Sequence, residues 1–226
     1  MRIYCGAKLT RIFIRIYKRI SINGIMDGLN RLYGKNVIGK TLSVLYETPA
    51  RYLANEIAAF VPLKARILDL GCGHGALAYV LAKKLNASVF GIDVRDVRRY
   101  DIEFSLFDGE NLPAGEKSFD ATIVAFVLHH AANFRKLLQE IRRVTQGVII
   151  IYEDTPANAL ERKFCTTHGK TFNEKFGIKN SATFLSQEEW REEFTKAGLR
   201  LIDTKSVNFP NPFYITHRRM FVLKAD

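Results

Sequence analysis

Residues 65–77, ARILDLGCGHGAL, combine an apolar run, a glycine-rich turn and the start of an amphipathic segment. The run over 65–70 is typical of a strand that is covered on both faces. The segment 76–85 has its large apolar residues at helical spacing, so that they share one side. A strand that passes directly into a helix is the first half of a strand–helix–strand crossover, and the feature therefore predicts a parallel sheet.

The rest of the chain repeats this alternation. Further strands are predicted at 87–94, 102–108, 119–127 and 147–154, and helices at 44–61, 133–144 and 186–198. Two last strands, 199–207 and 214–225, are joined by a short connection, which favours an antiparallel pair. The sequence therefore predicts an α/β fold: a doubly wound, mostly parallel, seven-stranded, Rossmann-like sheet with an antiparallel final strand and an N-terminal helical extension.

The length of 226 residues suits one domain. We predict a single domain over residues 41–226, preceded by a basic helical arm over residues 1–40. The segment 155–185 is the least regular part of the domain and follows the end of a strand, where ligands bind in such sheets. This segment is expected to be either a lid over the site or an ordinary surface helix and loop.

The turn after the first strand has the spacing Gly71-x-Gly73-x-Gly75, and Asp69 precedes it. A dinucleotide-binding fingerprint has its third glycine one position later, and a P-loop requires a Gly-Lys-Ser/Thr that does not follow here. A carboxylate repels a pyrophosphate in a partly buried site and attracts a cation. The turn therefore favours a ligand with a positive centre over the nicotinamide dinucleotide of an oxidoreductase.

Two further acids follow the next two predicted strands. Asp93 ends the second strand, 24 residues after Asp69, and Asp108 ends the third. An acid near the first of these positions commonly accepts hydrogen bonds from ribose hydroxyls. Because the carboxyl ends of parallel strands meet at one edge of a sheet, the three acids are predicted to form one ligand site.

Taken together, these segments resemble the class I S-adenosylmethionine-dependent methyltransferases, in particular the small-molecule group called type 11. ILDLGCGHGAL (67–77) is similar to the family's first motif, and FGIDV (90–94) is similar to its second. LFDGENLPAGEKSFDATIVAFVLHH (106–130) is similar to the third and fourth together. The resemblance covers about residues 45–154. It implies an enzyme that transfers a methyl group from S-adenosyl-L-methionine and leaves S-adenosyl-L-homocysteine.

The resemblance also implies which residues contact the cofactor. Asp69 would lie near its ammonium group, Asp93 would bind the ribose hydroxyls and Asp108 would accept from the adenine amino group. The other expected contacts lie in the glycine turn, beside these acids and at the end of the fourth strand: Gly71, Cys72, Gly73, Gly75, Val94, Gly109, Glu110, Ala125 and Phe126.

The chain departs from the family's pattern between the second and third strands. Only 14 residues separate Asp93 from Asp108, where many members of the family have a full helix. The segment DVRDVRRYD (93–101) allows at most a turn or two. We therefore expect the adenine side of the site to be open or to be covered by another segment.

Methyl transfer requires a base only when the acceptor must lose a proton. The candidate bases stand at strand ends: His129 and His130 after the fourth strand, and Tyr152, Glu153 and Asp154 after the fifth. The two histidines are the candidate catalytic residues, because an imidazole titrates in the useful range. A role in orienting the substrate and a place in an ordinary loop are the alternatives for this pair. Glu153 and Asp154 would alternatively pair with Arg or Lys on the lid segment. No metal is expected: the three cysteines form no CxxC pair, and the spacing of the two histidines and His168 does not support a metal site.

The formal net charge of +11 is concentrated at the start of the chain, where residues 1–26 contain six basic residues and no acid. The segment 8–20 has the periodicity of a basic amphipathic helix, which would suit an anionic membrane surface or would pack on the domain. A strand and an organelle-targeting segment are the other interpretations of this arm.

From these features we expect a small-molecule or lipid-like acceptor and a cytoplasmic protein whose arm is a candidate peripheral membrane contact. A non-catalytic protein that binds S-adenosylmethionine for regulation is one alternative, and an RNA methyltransferase is another. Nucleic acid is disfavoured, because the chain after residue 26 is only mildly basic and AFVLHH (125–130) stands where an NPPY-type motif would be expected. The oligomeric state does not follow from the sequence.

Overall fold

The computed structural model describes residues 47–176, 182–207 and 216–225. Apart from the first two, these residues belong to one compact unit, Pro49–Asp226. The predicted basic arm, including the segment 8–20, lies outside the described residues, and so do residues 177–181 of the predicted lid.

Seven strands form a single sheet. They are β1 (Arg66–Leu70), β2 (Ser88–Asp93), β3 (Glu103–Leu106), β4 (Phe119–Ala125), β5 (Thr145–Asp154), β6 (Leu199–Ser206) and β7 (Arg218–Ala225). Their order is β3-β2-β1-β4-β5-β7-β6. The first five strands pair in parallel, while β7 is antiparallel to both β5 and β6. The prediction of a mostly parallel, Rossmann-like sheet with an antiparallel final strand is confirmed.

Helices connect most of these strands. They are α1 (residues 47–57), α2 (Ala76–Leu85), α3 (Phe134–Val144), α4 (Ala159–Phe176) and α5 (Gln187–Lys196), with a short 3-10 turn at Leu128–His130. Asn133 begins α3 by accepting a hydrogen bond from the backbone N–H of Lys136. Ser186 begins α5 in a reciprocal capping box with Glu189. In the described part of the chain, no helix has both the length and the hydropathy needed to cross a bilayer.

Aromatic side chains join α3 and α5 to the sheet. Trp190 is fully buried and lies edge-on to Phe134, with 5.4 Å between the ring centroids. Phe194 stacks on Trp190 and meets Phe221 of β7 at 5.1 Å. Each such ring removes a large apolar area from water, so this cluster anchors one face of the sheet.

The connection between β2 and β3 is short, as expected from the sequence. Residues 94–102 contain no helix. Arg98 closes the connection by pairing with Asp96 at 2.8 Å and by donating to the backbone carbonyl of Ile102 at 3.0 Å. Its guanidinium also lies over the ring of Phe104. A compact loop therefore stands where a longer crossover would place a helix.

The order of the strands determines where a ligand can bind. The chain runs outward from β1 through β2 to β3 and then returns to the other side of β1 with β4. At such a reversal the adjacent connections leave the sheet toward opposite faces, and a crevice forms at the carboxyl ends of the strands.

Candidate functional site

A cavity of about 330 Å³ lies at this crevice. Its wall is formed by the last residue of β2, by residues that follow β1, β2, β3 and β4, and by one residue of α3: Gly71, Asp93, Val94, Phe107, Asp108, Gly109, Glu110, Val127, His130, Ala131, Ala132 and Leu137. Small-molecule sites commonly occupy about 300–1,000 Å³ and combine apolar walls with a few polar groups. The size and lining of the cavity fit such a site.

The glycine turn after β1 brings backbone close to the cavity. Gly71 has a φ of 72°, and a Cβ at this position would lie 2.3 Å from a methyl carbon of Val127. Gly73 has a φ of 52°, and a Cβ there would meet no atom within 4 Å. Gly71 is therefore required for packing, whereas Gly73 leaves open space beside the turn.

Asp69, at the end of β1, is a buried carboxyl group that is only partly satisfied. It is 2% exposed, and within the described residues its Oδ2 has no hydrogen-bond partner. Burial raises the pKa of Asp69 to about 7; the backbone N–H of Ala78 lowers it in part and the charge of Asp93 raises it further. A buried carboxylate in this condition is stabilised by a positively charged group.

Asp93 connects the glycine turn to the cavity. Its Oδ2 accepts from the N–H of Gly73 at 2.9 Å, and its Oδ1 accepts from the N–H of Arg95 at 3.3 Å. An ionised carboxylate has about four accepting positions, so about two remain for a ligand. The same side chain therefore fixes the turn and presents acceptor capacity to the cavity.

Asp108 organises the loop after β3. Its carboxylate accepts from the backbone N–H and the side-chain amide of Asn111, both at 2.7 Å, and from the N–H of Glu110 at 2.8 Å. These hydrogen bonds, those from Asn111 first, lower the pKa of Asp108 to about 2. Because the loop itself takes about three of its accepting positions, about one remains for a ligand.

Two residues of α3 hold the segment that follows this loop. Glu140 accepts from the N–H of Leu112 at 2.9 Å, and Arg143 donates to the carbonyl of Ala114 at 2.7 Å. Glu140 and Arg143 also pair with each other. The wall at Asp108 is thereby tied to a helix as well as to its own strand.

Several residues predicted to contact a ligand do not line the cavity: Asp69, Cys72, Gly73, Gly75, Ala125, Phe126 and His129. Cys72 is buried against β2, since a Cβ added at Gly91 would lie 2.8 Å from its Sγ. Burial raises the pKa of the Cys72 thiol, so it stays protonated. Phe126 has a φ of 61°, which is uncommon for a residue with a side chain, and its N–H donates to the carbonyl of Tyr152.

His129 lies behind the cavity wall. Its Nδ1 is 2.5 Å from Oε2 of Glu153, and the other oxygen of Glu153 accepts from the N–H of Leu128. Both side chains are buried. Burial opposes the charged imidazole, but the Glu153 carboxylate outweighs this effect and raises the pKa of His129. Glu153 therefore favours the protonated form of His129 and fixes the turn that carries it.

His130 lines the cavity, and its ring lies 4.1 Å from that of His129. Its Nδ1 is 2.7 Å from Oδ1 of Asn173, a residue of α4 that is 3% exposed. Burial and the neighbouring His129 lower the pKa of His130 to about 3. Two adjacent histidines thus have pKa values shifted in opposite directions, an arrangement that separates acid and base roles in enzyme sites.

Some residues around the site were not predicted. Phe107 is the penultimate residue of one predicted strand, Val127 is the last residue of another, and Leu137 lies in a predicted helix. These positions indicate burial without indicating the cavity. Asn173 is separated from His130 by 43 residues, and no local pattern connects the two. Within the described ranges, no group of three or more His, Cys, Asp and Glu side chains is placed to bind a metal ion.

The chain is similar in sequence to known methyltransferases. Residues 68–151 match a family model described as a methyltransferase domain. The chain is 31% identical over 163 residues to demethylmenaquinone methyltransferase of Thermotoga maritima. The aligned region covers 68% of this chain and 66% of that protein. It is 33% identical over 100 residues to fatty-acid O-methyltransferase of Mycolicibacterium smegmatis, and this alignment covers 39% of this chain and 36% of that protein. The chain therefore covers less than two thirds of the length of either relative.

The fold has solved counterparts as well. A SAM-dependent methyltransferase from Methanosarcina mazei superposes with a TM-score of 0.59 at 16% sequence identity, covering 75% of this chain and 96% of that one. At this identity the match concerns the fold, which is the doubly wound sheet described above.

Proposed function

We propose that this chain, which belongs to the class I, type 11 family of S-adenosylmethionine-dependent methyltransferases, transfers a methyl group from that cofactor to a small, lipid-like acceptor. The observation that carries the proposal is the convergence of Gly71, Asp93 and Asp108 on one cavity at the carboxyl edge of the sheet. A glycine turn and two acids in this arrangement suit a nucleoside that also has a charged amino-acid part.

The residues present fit S-adenosylmethionine. The cofactor carries an ammonium group and a sulfonium, and its sulfonium supplies a methyl group that is already activated for displacement. Asp69 has a buried carboxylate oxygen without a partner among the described residues, which suits a nearby cation. Gly73 borders open space that a Cβ would fill, so backbone can approach a ligand there.

We assign the individual roles from this fit. Asp93 accepts hydrogen bonds from the ribose hydroxyls at the carboxylate positions that are not taken by the N–H groups of Gly73 and Arg95. Asp108 accepts from the adenine amino group with its remaining position, while its hydrogen bonds to Glu110 and Asn111 hold the loop in place. Among the residues that line the cavity, Gly71, Val94 and Gly109 supply the other backbone or apolar contacts. For Cys72, Gly75, Ala125 and Phe126 the proposed contact rests on the family resemblance and not on the lining of the cavity.

The lipid-like acceptor is inferred from the relatives. One is named for demethylmenaquinone and another for fatty acids, and both acceptors are largely apolar. A buried site with apolar walls excludes water from the reacting atoms and orients an apolar acceptor for in-line attack.

For an acceptor that reacts through a hydroxyl, we propose His130 as the general base. The oxygen forms the bond to the methyl carbon as the carbon–sulfur bond breaks, its electron pair goes to sulfur, and the hydroxyl proton goes to the neutral imidazole. His130 lines the cavity and is neutral at physiological pH. Because its pKa is low, it is a weak base, and the role suits an acceptor whose own hydroxyl is acidic. His129 supports this histidine from behind the wall and does not itself contact the reacting atoms.

We further infer that part of the segment 155–185 is a lid. Phe184 stacks on His129 with 4.7 Å between the centroids, and the N–H of Thr183 donates to the carbonyl of His129 at 2.8 Å. α4 reaches the same place through Asn173. These contacts support a cover over the histidine side of the cavity.

Calorimetry tests the cofactor assignment. We expect micromolar binding of S-adenosylmethionine, no measurable binding of NAD, and loss of the signal in Asp93→Ala. A matched control is Asp101→Asn, an exposed acid of the same loop that does not line the cavity. Equal binding by Asp93→Ala and Asp101→Asn would overturn the assignment.

A product assay tests the reaction. Release of S-adenosylhomocysteine is measured with demethylated quinones, long-chain fatty acids and a short RNA as acceptors. Turnover with a quinone or a fatty acid supports the proposal. Turnover with RNA alone contradicts the acceptor class, and binding of the cofactor without turnover of any acceptor would favour a regulatory protein.

We infer from the sequence that residues 1–40 form a basic arm ahead of the domain at 41–226 and that the segment 8–20 contacts an anionic membrane surface. Co-sedimentation with anionic and neutral vesicles compares the full chain with a variant lacking residues 1–24. We expect the full chain to pellet with anionic vesicles, and equal pelleting of both forms would remove the membrane contact.

A further inference from the structure

The imidazole of His130 is held by a residue of α4, which lies outside the glycine turn and the strand ends that form most of the cavity wall. Its Nδ1 lies 2.7 Å from Oδ1 of Asn173. An amide oxygen can only accept, so Nδ1 carries the proton and the lone pair of the neutral ring lies on Nε2. Asn173 is buried, which strengthens the hydrogen bond and fixes the ring's orientation.

On the premise of the methyl transfer proposed above, we propose that Asn173 is a positioning residue, which holds His130 in the Nδ1–H form and so equips the cavity wall with an acceptor toward a hydroxyl-bearing substrate. The residue acts through His130 and does not touch the reacting atoms. Because Asn173 belongs to α4 and His130 follows β4, the proposed lid helix and the proposed base are connected by this hydrogen bond.

The surroundings of His130 favour its neutral form. His129 lies beside it with a raised pKa, and Glu153 holds His129 from the far side. His168, also on α4, acts on His130 in the same direction as His129. The neutral ring therefore presents an unprotonated Nε2 as a hydrogen-bond acceptor. The same lowered pKa makes it a weak base, so it suits a substrate whose own hydroxyl is acidic.

The same cavity wall contains three acidic residues, Asp93, Asp108 and Glu110. Burial and the two histidines dominate over these acids, because the pKa of His130 lies well below its ordinary value. A new carboxylate placed directly on Nδ1 would reverse this balance.

Two variants separate positioning from packing. Asn173→Leu has a similar volume and removes the acceptor, so the proton of His130 is no longer directed to Nδ1. Asn173→Asp keeps an acceptor and adds a charge, which should raise the pKa of His130 by about 1–3 units. Lys170→Gln is the matched control: it changes the net charge by the same amount, on the same helix, at a side chain that is 76% exposed.

The first measurement is ¹⁵N NMR of the histidine rings in the protein without acceptor. We expect the wild type and Lys170→Gln to show His130 with a protonated Nδ1 and an unprotonated Nε2. Asn173→Leu should show both tautomers, and Asn173→Asp should titrate at higher pH. An Nε2–H tautomer in the wild type, or a His130 titration that Asn173→Asp leaves unmoved, would overturn the proposal. This measurement does not depend on turnover.

The second measurement is the pH profile of kcat with an active hydroxyl acceptor. Asn173→Leu should lower kcat by about 10–100-fold with little change in KM, and Asn173→Asp should move the acidic limb upward with most of kcat retained. An equal loss of kcat in both variants, with no movement of the acidic limb of the pH profile, would show that Asn173 acts only in packing and would overturn the proposal. If no acceptor is turned over but the NMR result is as expected, the proposed function is wrong. The assignment of Asn173 as the residue that fixes the tautomer of His130 is then still supported.

Discussion

The side chains of His129 and Glu153 form a buried pair, with Nδ1 of the imidazole 2.5 Å from Oε2 of the carboxylate. Glu153 is the penultimate residue of β5, whereas His129 belongs to the turn after β4, so the pair joins the ends of two neighbouring strands. Its second oxygen accepts from Leu128. The carboxylate is therefore the link that holds the turn carrying His130 against the sheet.

Replacing Glu153 by Gln should destabilise the fold. The change leaves His129 buried without a counter-charge, and removing one partner of a buried hydrogen-bonded pair costs about 1–3 kcal/mol. Chemical denaturation measures the loss. His217→Gln is the control, because His217 pairs with Glu161 at 2.8 Å but is 64% exposed, and we expect a change below about 1 kcal/mol there.

The same pair should make stability depend on pH. The pKa of His129 is raised in the folded protein above its ordinary value of 6.5. Its contribution is therefore complete below that value and is lost as the pH rises through the folded-state pKa. The difference in unfolding free energy between the wild type and Glu153→Gln should shrink as the pH rises above about 6.5 and through the raised folded-state pKa of His129. A difference that grows over this range would contradict a protonated His129.

Asp69→Asn should stabilise the protein without ligand at pH 8. The pKa of Asp69 is about 7 in the folded state against an ordinary value of 3.8, so the folded state resists ionisation. The contribution of protonated Asp69 to the unfolding free energy is fully present below pH 3.8, the ordinary pKa that applies to the unfolded state. It is lost as the pH rises through about 7. At pH 8 we expect a gain of about 2–4 kcal/mol in unfolding free energy, and none at pH 3.

Binding of S-adenosylmethionine should change with pH in the opposite sense. The cofactor's ammonium group favours ionised Asp69, so affinity should rise as the pH passes through about 7, with a proton released on binding. Asp69→Asn should bind at least about tenfold more weakly at pH 8, because a charge-assisted interaction is lost. Calorimetry in two buffers of different ionisation enthalpy counts the proton, and an unchanged count in the variant would exclude Asp69.

Alanine at Gly71 and at Gly73 should have different consequences. Gly71→Ala places a methyl group against Val127, so we expect loss of folded protein. Gly73→Ala meets no neighbouring atom, and its left-handed φ costs about 1–2 kcal/mol. This variant should fold but bind the cofactor at least about tenfold more weakly. Thermal unfolding with and without S-adenosylmethionine separates the two effects, and a normal ligand-induced shift in Gly73→Ala would count against the turn as a cofactor contact.

Much of the fold could be predicted because its elements have local causes. The apolar run before Asp69 predicts a buried strand, Ser186 and Glu189 predict the start of α5, and the short segment before the last strand predicts an antiparallel pair. The positions of Asp69, Asp93 and Asp108 at one edge follow from the parallel sheet itself.

The histidine side of the site could not be derived in this way. The sequence presents His129 and His130 as equivalent neighbours, and their difference comes from partners distant in the chain. Glu153 is 24 residues from His129, and Asn173 is 43 residues from His130. Such pairings depend on which faces of α4 and β5 meet after folding, and no periodicity in the sequence encodes them.

The short connection between β2 and β3 has a consequence for the timing of the reaction cycle. Arg98 and Asp96 close this connection with a compact loop, and Val94 at its start forms part of the cavity wall. In the proposed site this rim contains no helix that would have to be displaced, so we expect the nucleoside to exchange with rotation of a few side chains. Side-chain rotations are fast compared with typical turnover. We therefore expect the chemical step or movement of the proposed lid, and not departure of the spent cofactor, to limit the overall rate.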